Sequence, residues 1–251
     1  MSYTPKRLWE VDALRGVAIV MMVIYHLLYD LYYFRVTDTI FTNPFWFYFQ
    51  RATAGTFLVL VGVSLTLSVS AMRRRGQSER TIYAQLLRRG LRVFGWGMVI
   101  TLVTWLFFGS ALAVKFGILH FIGVATLLAY PFLTLCWTNL ALWVSLSLLG
   151  RVLDGITING PWLLVLGIEP RNHVYVDYFP LVPWFGVVLL GVFLGNLLYP
   201  NGERRYTLPL SALPFRPLRW LGERSLLIYL IHQPLLFAVL TPILWFWRKN
   251  G

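Results

Sequence analysis

Long apolar segments run through almost the whole chain and restrict the folds that are open to it. A transmembrane helix needs about 20 mostly apolar residues to cross a hydrocarbon core of about 30 Å. Seven segments reach or approach this length, at residues 10–34, 44–72, 84–108, 116–137, 139–153, 181–199 and 225–247. Of the 251 residues, 58% are hydrophobic and only 13% are charged, whereas soluble domains carry about 25% charged residues. We therefore predict one domain, residues 1–251, folded as an all-α, multi-pass transmembrane helical bundle with about seven spans. Pro131 within the fourth segment and the single residue Thr138 after it leave six or eight spans as alternatives.

Basic residues are concentrated on one side of the predicted membrane. They lie near the amino terminus, after the second segment and after the sixth: Lys6, Arg7, Arg73, Arg74, Arg75, Arg80, Arg88, Arg89, Arg92, Arg204, Arg205, Arg216, Arg219 and Arg224. The positive-inside rule then predicts a cytoplasmic amino terminus in the cell membrane. The same rule accounts for the net charge of +12, so we expect the lipid bilayer, and not nucleic acid, as the partner of these residues. The first segment is too long for a signal sequence and lacks a small-residue cleavage site, which predicts a retained span.

A long connection, residues 154–180, is expected on the opposite, outer side. It places several glycines and prolines around a short apolar patch, residues 162–168. Loops of this length without evident structure are often functional. Two interpretations follow, a re-entrant lid that dips into the membrane and a segment that lies on its interface.

The first segment carries a stripe of ionisable residues. At about 100° per residue, Asp12, Arg15, His26 and Asp30 fall within an arc of about 60°, and His26 lies about 16 Å beyond Arg15. Ionisable groups inside a membrane usually face a protein interior and have a function. Asp30, one turn beyond His26, predicts a general base oriented by a carboxylate. The alternative is a structural Asp12–Arg15 ion pair and a histidine held by a hydrogen bond between helices.

The other histidines are expected at a similar depth. His120 follows the outer end of the fourth segment, His232 lies in the last segment, and His173 lies in the outer connection with Asp177. Arg51, near the outer end of the second segment, joins them. Each residue alone is typical of a structural polar group, whereas their convergence predicts a polar site in the outer half of the membrane.

Three arginines at the start of the third segment, Arg88, Arg89 and Arg92, have two interpretations. They contact anionic lipid headgroups, or they bind phosphates at the cytoplasmic mouth of the site. The single cysteine, Cys136, and the absence of zinc-type spacing predict no metal site.

Glycines inside the apolar segments indicate close contact between helices. These are Gly55, Gly62, Gly95, Gly97, Gly191 and Gly195. Small residues let transmembrane helices approach closely. The Gly191/Gly195 pair serves either this packing or a homodimer.

Five sequence blocks carry a resemblance to a known family. They are VDALRGVA at 11–18 with His26 after it, TFLVLVGVS at 56–64, FGILHFIG at 116–123, DYFPLVPW at 177–184 and LGERSLLIYLIH at 221–232. Arg15 and His26, with ten residues between them, resemble the opening of transmembrane acyltransferases, including the acyltransferase-3 family. The full set is more similar to the heparan-α-glucosaminide N-acetyltransferase catalytic-domain family, and it spans nearly the whole chain.

The resemblance implies transfer of an acetyl or other acyl group from cytoplasmic acetyl-CoA to a sugar or glycan acceptor at the far face. It places His26 at the active-site polar position and Arg15 at the motif arginine. In lysosomal members the position matching His26 is an asparagine with a histidine further on, and this chain has no second histidine before Arg51. This departure leaves open whether His26 is itself the base and whether an acyl-enzyme forms.

The residues support the same chemistry on physical grounds. Arginines are the expected contacts of CoA phosphates, and the candidates are Arg15, Arg51, Arg88, Arg89 and Arg92. His26 is the expected base, and His120, His232 or Arg51 would polarise the thioester carbonyl. Two other functions use similar residues: a proton-coupled transporter or flippase, and a haem protein with two axial histidines. The sequence shows no repeated pair of broken helices, which favours the transferase.

Overall fold

The computed structural model describes residues 8–170, 177–208 and 212–250, and this part of the chain is almost entirely helical. Its nine α-helices are α1 (Trp9–Tyr33), α2 (Thr39–Thr42), α3 (Pro44–Arg74), α4 (Glu79–Leu112), α5 (Ile118–Leu128), α6 (Trp137–Leu153), α7 (Leu181–Leu198), α8 (Arg216–Glu223) and α9 (Ser225–Asn250). Two short strands, β1 (Thr157–Ile158) and β2 (Glu169–Pro170), pair in parallel. The predicted all-α, multi-pass membrane bundle is confirmed.

Five of the described helices are long and apolar enough to cross a membrane. They are α1, α3, α4, α7 and α9, which match the first, second, third, sixth and seventh predicted segments. The third segment begins earlier than predicted, because the Ser78 hydroxyl caps α4 by accepting a hydrogen bond from the Thr81 N–H at 3.3 Å. Its regular turns end at Phe108, as predicted, because Gly109 adopts a φ of 76°.

The prediction of one continuous fourth span over 116–137 is wrong. The helix ends at Leu128, and a 3-10 turn follows at Tyr130–Phe132. Pro131 lies within this turn, and proline removes a backbone donor and clashes with the preceding helical turn. The 11 residues of α5 rise about 16 Å, about half of a hydrocarbon core. The fifth segment ends at Leu153 as predicted but begins at Trp137, two residues early.

Two compact units divide the chain, residues 1–57 with 208–251 and Leu58–Thr207. We call them the first and the second unit. In the first unit, α1 packs along α8 and α9. A methyl group at Gly16 would overlap the carbonyl of Leu218, and one at Gly222 would overlap the carbonyl of Asp12. The backbones of α1 and α8 are therefore in direct contact, which only glycine allows.

Glycines also bring the helices of the second unit together. A methyl group at Gly62 would overlap the Val188 carbonyl, and one at Gly191 would overlap the Val59 carbonyl. Gly195 lies against Thr66, so the Gly191/Gly195 pair is used for packing of α7 against α3. The close-packing prediction holds for Gly62, Gly97, Gly191 and Gly195. It is wrong for Gly55 and Gly95, which have nothing within 4 Å of the added carbon.

The outer connection contains β1, a 3-10 turn at Leu164–Leu166 and β2. Leu164 is buried, whereas Trp162 in the predicted apolar patch is 82% exposed. Beyond the strands, Asp177 has a left-handed φ of 50° and leads into α7. His173 lies outside the described residues.

Candidate functional site

The ionisable stripe of α1 begins with an ion pair. The Arg15 guanidinium donates to the Asp12 carboxylate at 2.7 Å, one helical turn apart. Both side chains are mostly shielded from solvent, with exposed fractions of 22% and 10%. Asp12 lies where Gly222 of α8 contacts α1. The ion pair allowed by the structural alternative is therefore present.

His26 and His232 are in contact at the interface between α1 and α9. Their ring centroids are 4.8 Å apart and the planes are almost perpendicular, at 82°. His232 is buried, and its Nδ1 lies 2.7 Å from the Tyr229 carbonyl. A carbonyl only accepts, so Nδ1 carries the proton and the neutral ring presents a lone pair at Nε2. The edge contact leaves no space for a haem between these two rings.

Asp30 contacts α9 through Gln233. The Gln233 amide donates to the Asp30 carboxylate at 2.6 Å, and Asp30 is fully buried. We expected Asp30 to orient His26 directly, but its carboxylate accepts a hydrogen bond from Gln233 of the neighbouring helix. Gln233 also lies beside the His26 imidazole. The Gln233 amide is therefore the group that contacts both His26 and Asp30.

Sequence reasoning missed Gln233. It directly follows His232, the last residue of the block at 221–232, and its side chain is neutral. The available signal was a polar amide inside an apolar helix, which is costly in a membrane unless it has a partner. His26, Asp30, His232 and Gln233 together form a polar cluster of the first unit, which we call the α1–α9 cluster.

His120 belongs to the second unit, where both of its ring nitrogens are engaged. Nδ1 accepts a hydrogen bond from the Gly117 N–H at 3.2 Å, at the start of α5. Nε2 lies 3.3 Å from the Thr101 hydroxyl, which donates its own proton to the Val114 carbonyl at 2.6 Å. His120 must therefore donate from Nε2. This bonding is typical of a histidine that positions a helix.

The second unit also joins two of the sequence blocks near His120. The Asp177 carboxylate accepts from the Ile118 N–H at 3.4 Å, at the amino terminus of α5. The Phe179 N–H donates to the Phe116 carbonyl at 3.1 Å. A carboxylate at a helix amino terminus is favourable because it faces unpaired N–H groups. The block at 177–184 thus holds the start of the helix that carries His120.

The arginines predicted to bind CoA lie in different surroundings. Arg51, in the first unit, is exposed and lies over the Phe47 ring at 4.4 Å from its centroid. Arg88, Arg89 and Arg92 are exposed on α4 of the second unit.

A cationic cavity lies at the end of α3 in the second unit. Its volume is about 330 Å³, and its lining includes Thr66, Ser70, Arg73, Arg74 and Asn196. Guanidinium and hydroxyl groups together suit a phosphate.

A small polar network lies beside this cavity. Arg73 binds the Glu79 carboxylate through two N–H groups, at 2.9 and 3.1 Å. The Tyr130 hydroxyl donates to the same carboxylate at 2.5 Å. This hydrogen bond to Glu79 raises the pKa of the Tyr130 phenol. The network joins the start of α4 to the turn at Tyr130–Phe132.

An open groove lies at the end of α1 just beyond Asp30. Its volume is about 500 Å³, and it is lined by Tyr32, Tyr33, Arg35, Val36, Thr37 and Asp38. Aromatic faces with adjacent charged and hydroxyl groups suit a polyhydroxylated ligand. Among the described residues, no group of three histidine, cysteine or carboxylate side chains could hold a metal ion.

These features define a polytopic membrane protein with a polar site inside its helices. The family model described as heparan-alpha-glucosaminide N-acetyltransferase, catalytic, matches residues 7–234. The chain belongs to this family, which supports a membrane N-acetyltransferase-type activity. The resemblance predicted from the sequence blocks is confirmed. Comparison with curated proteins and with solved structures gives no significant match.

Proposed function

We propose that this protein transfers an acetyl group from acetyl-CoA to a sugar or glycan acceptor across the membrane, with His26 as the general base. The observation that carries the proposal is the contact between His26 and His232 inside the α1–α9 cluster, at 4.8 Å between ring centroids. Paired imidazoles in a membrane interior are costly to bury and suit proton transfer near neutral pH. The family membership supplies the reaction class.

The reaction needs one proton transfer and one exchange of bonds. His26 accepts the proton of an acceptor hydroxyl or amine, and the acceptor oxygen or nitrogen attacks the thioester carbonyl carbon. The carbon–sulfur bond breaks, and His26 returns the proton to the departing thiolate, so that CoA leaves as a thiol. Positioned bases contribute about 10²–10⁴-fold to such steps. A covalent acyl-enzyme remains the alternative route.

Polarisation of the thioester carbonyl requires a hydrogen-bond donor. His232 uses its Nδ1 proton on the Tyr229 carbonyl, and both ring nitrogens of His120 are engaged. We therefore assign His120 a positioning role. Arg51 remains the donor candidate, because stacking on Phe47 uses the face of the guanidinium and not its N–H edge.

The CoA phosphates would bind at the arginine-rich side, which we place in the cytoplasm of a cell-membrane protein. Arg15 lies about 16 Å from His26 along α1, a separation that an extended pantetheine arm can cover. A guanidinium carries five donors, so its ion pair with Asp12 is compatible with a phosphate contact. Arg88, Arg89 and Arg92, which belong to the second unit, stay sequence-based candidates for phosphate contacts.

Calorimetry on detergent-purified protein tests the donor half of the proposal. We expect wild type to bind acetyl-CoA, Arg15→Ala to weaken binding by about tenfold, and His26→Gln to bind normally. Arg75→Ala, which removes an exposed arginine directly after α3, is the matched control and should bind as wild type does. A folded wild-type protein that does not bind acetyl-CoA would contradict the proposal and favour a transporter, in which the stripe on α1 conducts protons.

A further inference from the structure

Three acceptor atoms of the α1–α9 cluster are buried without a hydrogen-bond partner among the described residues. They are Asp30 Oδ2, His232 Nε2 and Gln233 Oε1. Asp30 is 0% exposed and His232 is 7% exposed. Buried polar atoms are nearly always paired, so a concentration of exceptions in one place requires an explanation.

The hydrogen bonds that are present show whether each of these atoms is a donor or an acceptor. The Gln233 nitrogen donates to Asp30 Oδ1, which leaves the amide oxygen as the unpaired end. His232 donates from Nδ1 to the Tyr229 carbonyl, which leaves Nε2 as an acceptor. The second carboxylate oxygen of Asp30 also only accepts while the group is ionised. All three atoms accept, so none can satisfy another. The His26 imidazole beside Gln233 is a potential donor to the amide oxygen, whereas Asp30 Oδ2 and His232 Nε2 need donors from a bound molecule.

We propose that these three atoms form a subsite that binds the hydrogen-bond donors of the acyl acceptor, its hydroxyl or amine groups, beside His26. The inference rests on the proposed function and names the residues that would hold the acceptor. Hydroxyl and amine groups can both donate the hydrogen bonds that the subsite requires. A hydroxyl acceptor would be acylated on oxygen and an amine acceptor on nitrogen. A group bound here lies next to the imidazole that accepts the proton of the nucleophile.

The groove at the end of α1 begins close to the subsite along the helix axis. One of its lining residues, Tyr33, is three positions beyond Asp30 on the same helix, a rise of about 4.5 Å, and side chains three positions apart lie on the same side of a helix. An acceptor that occupies the groove could rest a ring on Tyr32 or Tyr33 and extend one donor towards Asp30. Gln233 is then a positioning residue, because it holds the Asp30 carboxylate and presents its own oxygen beside it.

Direct binding of two probes tests the subsite without any requirement for turnover. Glucosamine presents an amine and hydroxyls, and methyl glucoside presents hydroxyls alone. We expect wild type to bind at least one probe, and Asp30→Asn and Gln233→Met to weaken that binding by about tenfold. The acetyl-CoA affinity of both variants should equal that of wild type. Asp154→Asn, which removes an exposed carboxylate of the outer connection, is the matched control.

Each outcome of this experiment decides the inference. Stronger binding of glucosamine than of methyl glucoside indicates an amine acceptor, and equal binding indicates a hydroxyl. If neither probe binds to wild type, or if either variant is folded and binds the probe as wild type does, the inference is overturned. Two variants are used so that misfolding of one does not prevent the test. Probe binding that depends on Asp30 in a protein without acetyl-CoA binding would retain the subsite and reject the proposed transferase.

Discussion

Gln233 on α9 donates a hydrogen bond of 2.6 Å to the carboxylate of Asp30 on α1. Asp30 is fully buried, and a buried charge is tolerated only when it has partners. This contact joins the first and the last long helix of the sequence within one unit. It also explains how two polar residues, 203 positions apart in the chain, can be retained in apolar segments.

Replacement of Gln233 by leucine should destabilise the protein, because it leaves the Asp30 carboxylate buried with one donor fewer. We expect the free energy of unfolding to fall by about 2 kcal/mol. The variant Asp30→Leu/Gln233→Leu should lose less than the sum of the two single variants, since removal of both partners eliminates the unpaired charge. The free energy of unfolding is measured in detergent micelles for wild type, the two single variants and the double variant. Strictly additive losses would show that the two side chains do not interact.

His26 and His120 should respond differently to the same substitution. We expect His26→Gln to reduce acetyl transfer by at least about 100-fold while the melting temperature and the acetyl-CoA affinity change little. His120→Gln should lower the melting temperature, because the hydrogen bonds of His120 to Gly117 and Thr101 join α4 to the start of α5. Transfer kinetics and thermal unfolding of both variants provide the comparison. If both variants lost activity equally and kept the stability of wild type, His120 would have a catalytic role and not a positioning role.

Much of the fold could be predicted from the sequence because long apolar helices leave a strong signal. The five long helices were recovered, and α4 ends its regular turns at Phe108 as predicted. The fourth segment was wrong because hydropathy does not distinguish one long helix from a short helix and a turn. Asn139 shows the difference, since its amide binds the carbonyls of Phe132 and Leu135 and so stabilises the turn after Pro131.

The candidate site could be predicted only in part. The helical spacing placed Arg15, His26 and Asp30 on one stripe, because positions on one helix follow from its geometry alone. The spacing could not show which residue of another helix meets this stripe. The partner of Asp30 is Gln233 and the ring beside His26 is His232, and both contacts depend on how α9 packs on α1. Tertiary contacts of this kind leave no periodic signal in a single sequence.

The outer connection should show a pH-dependent stability. Partial burial, and to a lesser extent the nearby Asp154, raise the pKa of Glu169 in the folded protein. The folded state therefore retains a proton that the unfolded state releases, and stability falls as pH rises from the ordinary pKa of glutamate to the raised one. We expect Glu169→Gln to melt above wild type at about pH 7 and close to wild type at about pH 4. A difference that is the same at both pH values would contradict this assignment.

Close contact between α3 and α7 should make Gly62 intolerant of even one added carbon. A methyl group there overlaps the Val188 carbonyl, whereas one at Gly95 of α4 meets nothing within 4 Å. We expect Gly62→Ala to lower the free energy of unfolding by about 1–3 kcal/mol, as overpacking usually does. Gly95→Ala should be neutral or stabilising by up to about 1 kcal/mol, because alanine has the higher helix propensity. The free energies of unfolding of the two variants are compared in the same detergent. Equal effects at both positions would show that α3 and α7 are not in backbone contact.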